Sequence, residues 1–275
     1  MSLKNTFDNW IRKTLANRFR KIGDFEKERF FDEITNMLVN EAEARDFNEA
    51  ERHQLVYRIQ RGVMPEFVIA DYGRVILKDE EFRAVFKKFS DDNWTSFERK
   101  WHLNEFLKLV RNVPGDFSEC GVFRGGSAHF MCAEALLSNK HVHLFDSFEG
   151  LSAPIDGEDN HWSPGDLSIG EEEVRNNLAQ FDNYSTYKGW IPERFGEVSE
   201  TKFSLVHIDV DLQQPTGDAI EFFYPRLSTG GILLLDDHGS AMCPGARSVA
   251  LDYFADQEET VLDLATGQGV VFKKS

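Results

Sequence analysis

The chain has 275 residues, with 47 acidic against 31 basic side chains, a formal charge of -16 and a pI near 4.9, so a phosphate backbone is repelled at long range and nucleic acid is excluded as a partner. Its three cysteines, Cys120, Cys132 and Cys243, contain no CxxC pair and are too few for a disulfide framework, which suits a reducing cytoplasm and implies no metal-thiolate site. The longest apolar runs have strand length, far below the roughly 18 residues of a spanning helix, and the start has no signal-peptide pattern, so a cytosolic protein without a transmembrane segment is expected.

Residues 1–88 read as a helical region. Phe7, Trp10, Ile11, Leu15, Phe19 and Ile22 recur at helical spacing, as do Phe30, Phe31, Ile34 and Leu38. The first of these helices is basic, with Lys4, Arg12, Lys13, Arg18, Arg20 and Lys21 against Asp8 alone. Its apolar stripe suits packing on the core or on a second copy in a homodimer, and a basic amphipathic face also suits an anionic surface or an acidic partner. The expected division is a helical lid or dimerisation region over 1–88 and an α/β domain over 89–275.

From Thr95 onwards helices and strands alternate, the signature of a parallel sheet with right-handed crossovers. Strands are predicted at 116–121, 141–146, 184–188, 203–209 and 230–235, with helices at 97–111, 127–138, 169–181, 215–225 and 244–256. The tail from Thr260 to Lys273 reads as two strands joined by a glycine-containing turn, an antiparallel hairpin that closes the sheet. The Pro-, Gly-, Asp- and Ser-rich stretch 151–170 is long for a connection in a compact domain and is the candidate lid, with His161 and Trp162 expected either to cover an acceptor or to lie on a disordered surface.

Two strands deliver acids to the carboxyl edge of the sheet, where open α/β sheets bind ligands. Ser204-Leu-Val-His-Ile-Asp209-Val-Asp211 is one, and Gly230-Gly-Ile-Leu-Leu-Leu-Asp236-Asp237 is the other. Asp209, Asp236 and Asp237 together form a hard oxygen donor set that suits Mg2+ or another divalent cation. The first strand runs into Glu119-Cys-Gly121-Val-Phe-Arg-Gly125-Gly126-Ser127. Its glycines allow a close approach to a ligand, but their spacing is not GxGxxG, so no dinucleotide fingerprint is met. Glu119 would repel a pyrophosphate and hold an ammonium, which points to an amino-acid-bearing nucleotide. Asp146 ends the second strand, where an acid binds ribose hydroxyls. Gly189 and Trp190 end the third, where an indole either stacks on adenine or belongs to the core.

The strings GDFSECGVFRGGS, FDSFEGL, KGW, HIDVDL and FYPRLSTGGILLLDDHG, in that order, resemble the macrocin O-methyltransferase family, the sugar methyltransferases of the TylF, MycF and NovP type. The resemblance spans about Ser96 to Lys273. It implies a Rossmann-like class I methyltransferase sheet with a reversed last strand, S-adenosyl-L-methionine as methyl donor, and Mg2+ on Asp209, Asp236 and Asp237. It further implies Glu119, Gly121 and Ser127 at the methionine end, Asp146 at the ribose, and Ser147, Gly189 and Trp190 on the adenine side, with Gly125 in the glycine turn. The chain departs from the family's DLYES and DDY strings, having Asp211-Leu212-Gln213-Gln214-Pro215 and Asp236-Asp237-His238 instead. Leu212 occupies the position at which related catechol methyltransferases carry a lysine base, so that mechanism is not supported.

The function expected is transfer of a methyl group to a hydroxyl of a sugar or glycosylated small molecule, or of a glycan. Asp209, through the metal, and His238, as the base beside the acid pair, are the expected catalytic residues. Two other readings use the same residues. Asp209-Val-Asp211 is also the DxD pattern of metal-dependent glycosyltransferases and of some phosphohydrolases, and a non-catalytic protein can keep the same fold to bind S-adenosylmethionine alone.

Overall fold

The computed structural model describes residues 24–64, 75–89, 96–154, 159 and 161–274; the basic helix expected before residue 23 lies outside them. The chain forms two compact units that divide between Lys78 and Asp79. In the first, α1 (Asp24–Ala44) and α2 (Glu49–Val63) precede a short 3-10 turn at Val75–Lys78. The chain reverses between the helices through Asp46, at a φ of 52°. A reciprocal cap then starts α2: the Glu51 N–H donates to Asn48 Oδ1 at 3.1 Å, and the Asn48 N–H donates to Glu51 Oε2 at 2.9 Å. Val56, Ile59 and Val63 are left exposed along this helix.

The second unit begins with α3 (Glu80–Lys88) and α4 (Phe97–Leu109), capped by Asp79 and Ser96. There follow β1 (Asp116–Cys120), α5 (Gly126–Ser138), β2 (Val142–Asp146), α6 (Glu171–Asn177), β3 (Tyr184–Lys188), β4 (Phe203–Ile208), α7 (Gln213–Phe223), β5 (Leu227–Leu235), α8 (Pro244–Phe254), β6 (Leu262–Asp263) and β7 (Gly269–Phe272). The sheet order is β3-β2-β1-β4-β5-β7-β6. Strands β1 to β5 pair in parallel, and β7 runs antiparallel to both β5 and β6. This is the mostly parallel α/β sheet with a reversed terminal strand that the sequence predicts.

The central strands read as apolar runs because helices cover both faces. Every residue of β4 is buried. On one face, Phe223 of α7 packs edge-on against Phe145 at 5.7 Å, Phe195 at 4.8 Å and Phe203 at 5.1 Å, contacts worth about 0.5–1.5 kcal/mol each beyond area burial. Near α3, Phe82 meets Phe97 and Trp101 edge-on and stacks on Phe130, all with ring centroids 5.0–5.2 Å away. Two predicted elements change length. Strand β5 starts at Leu227, because a register shift opposite β4 accommodates Gly230 at a φ of 83°. The helix predicted over 169–181 ends at Asn177: Asn176 and Asn177 are poor helix formers, and the Phe181 N–H turns back onto the Leu178 carbonyl at 2.9 Å.

Strand β1 lies between β2 and β4, so the crossovers on its two sides run to opposite edges of the sheet. A crevice opens at the carboxyl ends of such strands. Among the described residues no helix is long and apolar enough to cross a membrane.

Candidate active site

The loop from β1 to α5 passes so close to β4 that only glycine fits at its start. A Cβ on Gly121 would lie 1.8 Å from the Asp209 carbonyl oxygen, and the residue has a φ of +83°. Asp146 braces the same loop. Its Oδ2 accepts the Val122 N–H at 2.7 Å and the Phe123 N–H at 3.3 Å, while Oδ1 accepts the Phe148 N–H at 2.7 Å. Burial pushes its carboxyl up, against the pull of these amides. Gly121, Gly126, Ser127, Asp146, Ser147 and Trp190 line one cleft together with Asp209, Asp211, Asp236 and Asp237. The cleft has a volume of about 210 Å³.

Three predicted residues stand back from the cleft wall. Gly125 turns towards α6, where a Cβ would meet Leu178 and Val174 at 3.5 Å. Gly189 faces the Arg194 side chain, 2.9 Å from where its Cβ would lie. Glu119 sits beneath the cleft, 1% exposed, with Oε1 2.9 Å from His207 Nδ1 and Oε2 without a hydrogen-bond partner.

The acids fall into two sets. In the first, His207 Nε2 lies 3.2 Å from Asp236 Oδ1, and Gln268 Nε2 donates to that oxygen at 2.8 Å. Arg99 Nη1 donates to Asp236 Oδ2 at 2.9 Å. Burial disfavours the charge on Asp236, but the His207 hydrogen bond and the Lys100, His207 and Arg99 charges hold the carboxyl well below its usual range. Burial also disfavours the His207 cation; the bonds to Asp236 and Glu119 outweigh it and raise that imidazole to about 10. Asp209 belongs to this set, its ligand atom lying within 4.8 Å of those of His207 and Asp236.

Asp211, Asp237 and Cys243 make the second set. The Asp211 N–H donates to Asp237 Oδ2 at 3.0 Å, and the Cys243 thiol donates to Asp211 Oδ1 at 3.4 Å. Asp211 stands in the left-handed region at a φ of 58°, which aspartate tolerates better than most residues. Burial, and then the Asp209 charge, push Asp211 up to about 7. Asp237 is also pushed well up, by burial and then by its three acidic neighbours. The predicted ligand trio Asp209, Asp236 and Asp237 is thus split between the two sets, all three lining one cleft.

Trp162 arrives from the 151–170 segment, buried against Leu212, Cys243 and Ala246, and its indole N–H donates to Cys243 Sγ at 3.4 Å. Asp159 from the same segment accepts the Gln213 N–H at 3.2 Å. His161 is exposed. The structure does not bring His238 to the cleft: its ring packs on Gly269 of β7, with Nε2 3.1 Å from Asp263 Oδ1. Burial, and then the nearby Arg247, lower its basicity.

Sequence reasoning missed Arg99, Lys100, His207, Gln268 and Cys243, and gave Asp211 a role only in the alternative DxD reading. His207 alternates with apolar residues along β4 and reads as core. Arg99 and Lys100 lie on a helix that ends before β1, where no periodic signal marks a cleft-facing side chain.

The pattern of the macrocin-O-methyltransferase (TylF) family matches residues 94–274. The 8-demethyl-8-(2,3-dimethoxy-alpha-L-rhamnosyl)-tetracenomycin-C 4'-O-methyltransferase of Streptomyces olivaceus is 34% identical over 159 residues, 53% of this chain and 60% of its own length. The demethyldecarbamoylnovobiocin O-methyltransferase of Streptomyces niveus is 31% identical over 163 residues, 54% of this chain and 61% of its own. The chain therefore spans about three fifths of these relatives' length. Among solved structures, the O-methyltransferase NovP superposes with a TM-score of 0.59 at 24% identity, over 66% of this chain and 81% of that one.

Proposed function

The chain belongs to the macrocin-O-methyltransferase family, and we propose that it transfers the methyl group of S-adenosylmethionine to a sugar hydroxyl on a glycosylated small molecule, with a divalent cation, Mg2+, at the acid cluster. The observation that carries this reading is the convergence on one cleft of the Gly121 turn, Asp146 and four aspartates. In it, residues 89–275 are the methyltransferase domain, and residues 1–88 are a lid or dimerisation region. Gly121 and Ser127 face the methionine end, with Glu119 beneath them, Asp146 faces the ribose, and Ser147 and Trp190 the adenine. The two curated relatives are named for methylation of a rhamnosyl-tetracenomycin and of demethyldecarbamoylnovobiocin, and the first name supports a glycosylated acceptor.

The donor set fits a hard cation. It is all carboxylate oxygen, and burial and mutual repulsion raise Asp209 and Asp237, a penalty that a cation would relieve. Asp236 has three of about four lone-pair sites taken, two on Oδ1 and one on Oδ2, so Oδ2 retains one. Held by Asp209, Asp236 and Asp237, the ion would supply Lewis-acid polarisation and orientation of vicinal acceptor oxygens.

The remaining chemistry belongs to the chain. The acceptor oxygen forms a bond to the methyl carbon as the carbon–sulfur bond breaks, and the electron pair stays on sulfur, leaving a neutral thioether. Asp211 takes the hydroxyl proton. It lines the cleft, and burial, the largest influence on it, raises its proton affinity above that of an ordinary carboxylate. It takes this role in place of His238, which faces Asp263 instead. Trp162, Leu167 and Met242 line the cleft beside it and shield the reacting atoms from water.

Calorimetric titration of S-adenosylmethionine into the purified protein tests the donor. Methyl transfer to a panel of rhamnosides, with Mg2+ or with chelator, then tests the acceptor class and the metal. Absence of binding by the folded protein overturns the whole reading; binding and transfer undiminished by chelator overturn only the metal.

A further inference from the structure

The starts of α7 and α8 meet beside the acid cluster. Leu212 immediately precedes α7, and Cys243 immediately precedes α8. The two helices approach so closely that a Cβ on Gly245, in the first turn of α8, would lie 2.6 Å from Gln213 Cβ and 2.7 Å from Asp159 Oδ1. Asp159 is 1% exposed and closes this junction by accepting the Gln213 N–H at 3.2 Å. The same stretch of chain is tied at its base, where the Leu151 N–H donates to the Asp166 carbonyl at 2.8 Å and the Gly165 N–H to the Leu151 carbonyl at 2.9 Å. Trp162, between these ties, packs against both helix starts through Leu212, Cys243 and Ala246.

Two hydrogen bonds run from this indole into the cluster. Trp162 Nε1 donates to Cys243 Sγ, and the Cys243 thiol donates to Asp211 Oδ1, each at 3.4 Å. A thiol has one proton, so that donor is committed to the carboxylate while the sulfur accepts the indole N–H. Hydrogen bonds in series polarise one another, so the indole strengthens the thiol's hold on Asp211. That hold matters because little else fixes the Asp211 side chain. Its N–H is tied to Asp237 Oδ2, but among the described residues its carboxylate receives no hydrogen bond besides the thiol's. Oδ1 is therefore anchored, and Oδ2 is left to the cleft that Asp211 lines.

We propose that Cys243 is a positioning residue, which transmits the seating of Trp162 to Asp211 and holds the free oxygen of that carboxylate towards the acceptor hydroxyl. The inference rests on the assignment of Asp211 as base and goes beyond it by naming what aims the base. Asp159 and Trp162 act through the same thiol, since together they place the indole that polarises it. Alignment is where such a residue tells: a displacement of about 1 Å at the reacting atoms can cost about 10²-fold in rate.

The test uses Cys243→Ala, Cys243→Ser and Trp162→Phe, the last of which keeps a ring and removes the N–H. With a rhamnoside acceptor and saturating S-adenosylmethionine, Cys243→Ala should lower kcat about tenfold and leave KM within about twofold, and Cys243→Ser, which keeps a donor, should recover most of the loss. Trp162→Phe should lower kcat when Cys243 is present and have no further effect on Cys243→Ala. Unchanged kcat in Cys243→Ala, a loss that Cys243→Ser does not recover, or additive effects of the two substitutions overturns the proposal. The indole proton of Trp162, followed by NMR in tryptophan-labelled protein and assigned by its absence from Trp162→Phe, gives a readout independent of turnover. Asp211→Asn should move that resonance at least about twice as far with Cys243 present as in Cys243→Ala, because the thiol transmits the change. Equal movement in both backgrounds, as a field acting through space would give, or movement in neither overturns the relay. Should Cys243→Ala fail to fold, Cys243→Val supplies the same comparisons. Near-wild-type turnover by Asp211→Asn refutes the base reading, and wild type that methylates no rhamnoside refutes the proposed function; in either case the indole comparison decides the relay by itself.

Discussion

His129 makes the stability of this fold depend on pH in a calculable way. It lies on α5, the helix whose first turn forms part of the cleft, and is 7% exposed. Phe89 and Phe181 meet its ring edge-on at 5.5 and 5.0 Å, and its Nδ1 is buried without a hydrogen-bond partner. Burial, and then the charge of Lys88, lower its proton affinity from 6.5 to about 4. The folded state therefore refuses a proton that the unfolded chain accepts. Its contribution is fully present above about pH 6.5 and is lost as pH falls through 4. At about 1.36 kcal/mol per unit, the loss is at most about 3 kcal/mol, and nearer 2 once residual solvent access is allowed for. Other carboxylates and histidines titrate in the same window, so the informative quantity is the difference between wild type and His129→Phe. Urea denaturation at pH 7, 6, 5 and 4.5 should show the wild type losing about 2 kcal/mol more than the variant across this range. Parallel curves for the two proteins would refute the reasoning, because the buried imidazole would then not be the group that resists protonation.

Asp211→Asn should lower kcat for a methyl acceptor by roughly 10²–10⁴-fold, the usual worth of a general base, and leave S-adenosylmethionine affinity within about twofold; a variant with near-wild-type turnover removes Asp211 from the mechanism. His238→Ala, by contrast, should keep turnover within a fewfold, since its ring faces Asp263 and β7, and a hundredfold loss would restore it as the base. His207→Leu leaves Glu119 and Asp236 buried without the cation between them and should destabilise the protein by about 3–5 kcal/mol in chemical denaturation; a cost below about 1 kcal/mol would mean that Arg99 and Gln268 satisfy Asp236 unaided.

The sheet was legible because its signals are local. Apolar runs such as Phe203–Ile208 that end on acids, alternating with capped helices, leave little choice of architecture, and the glycine-containing turn before Gly269–Phe272 fixes the reversed strand. The acids themselves were legible for the same reason: a residue immediately past a buried parallel strand has to emerge at the carboxyl edge. Which way each then faces was not. Asp236 and Asp237 are adjacent, yet one is gripped by Arg99, His207 and Gln268, and the other turns to Asp211. His238 continues that alternation and falls on the far side, against Gly269. Adjacent positions at a strand end diverge by about half a turn, so "next to the acid pair" in sequence does not mean next to it in space.

The same geometry explains why the cations escaped notice. Acids reach the cleft along strands, whose direction the sequence declares, whereas Arg99 and Lys100 reach it sideways from α4, through contacts with residues 137 and 27 positions away. Charge compensation constrains this arrangement further. Four aspartates around one opening repel one another unless positive charge is distributed among them, and His207 and Arg99 serve Asp236 while Lys100 serves Asp209. Asp211 and Asp237 have no cation of their own within ion-pair range among the described residues, and the proton affinity of both is raised, by burial first. The uncompensated charge thus gathers at one end of the cluster, beside Trp162 and Cys243, where a proton acceptor is needed, while the cationic end faces the glycine turn. In the reaction we propose, a cleft polarised in this way would orient a zwitterionic methyl donor and a hydroxyl-bearing acceptor without either displacing the other.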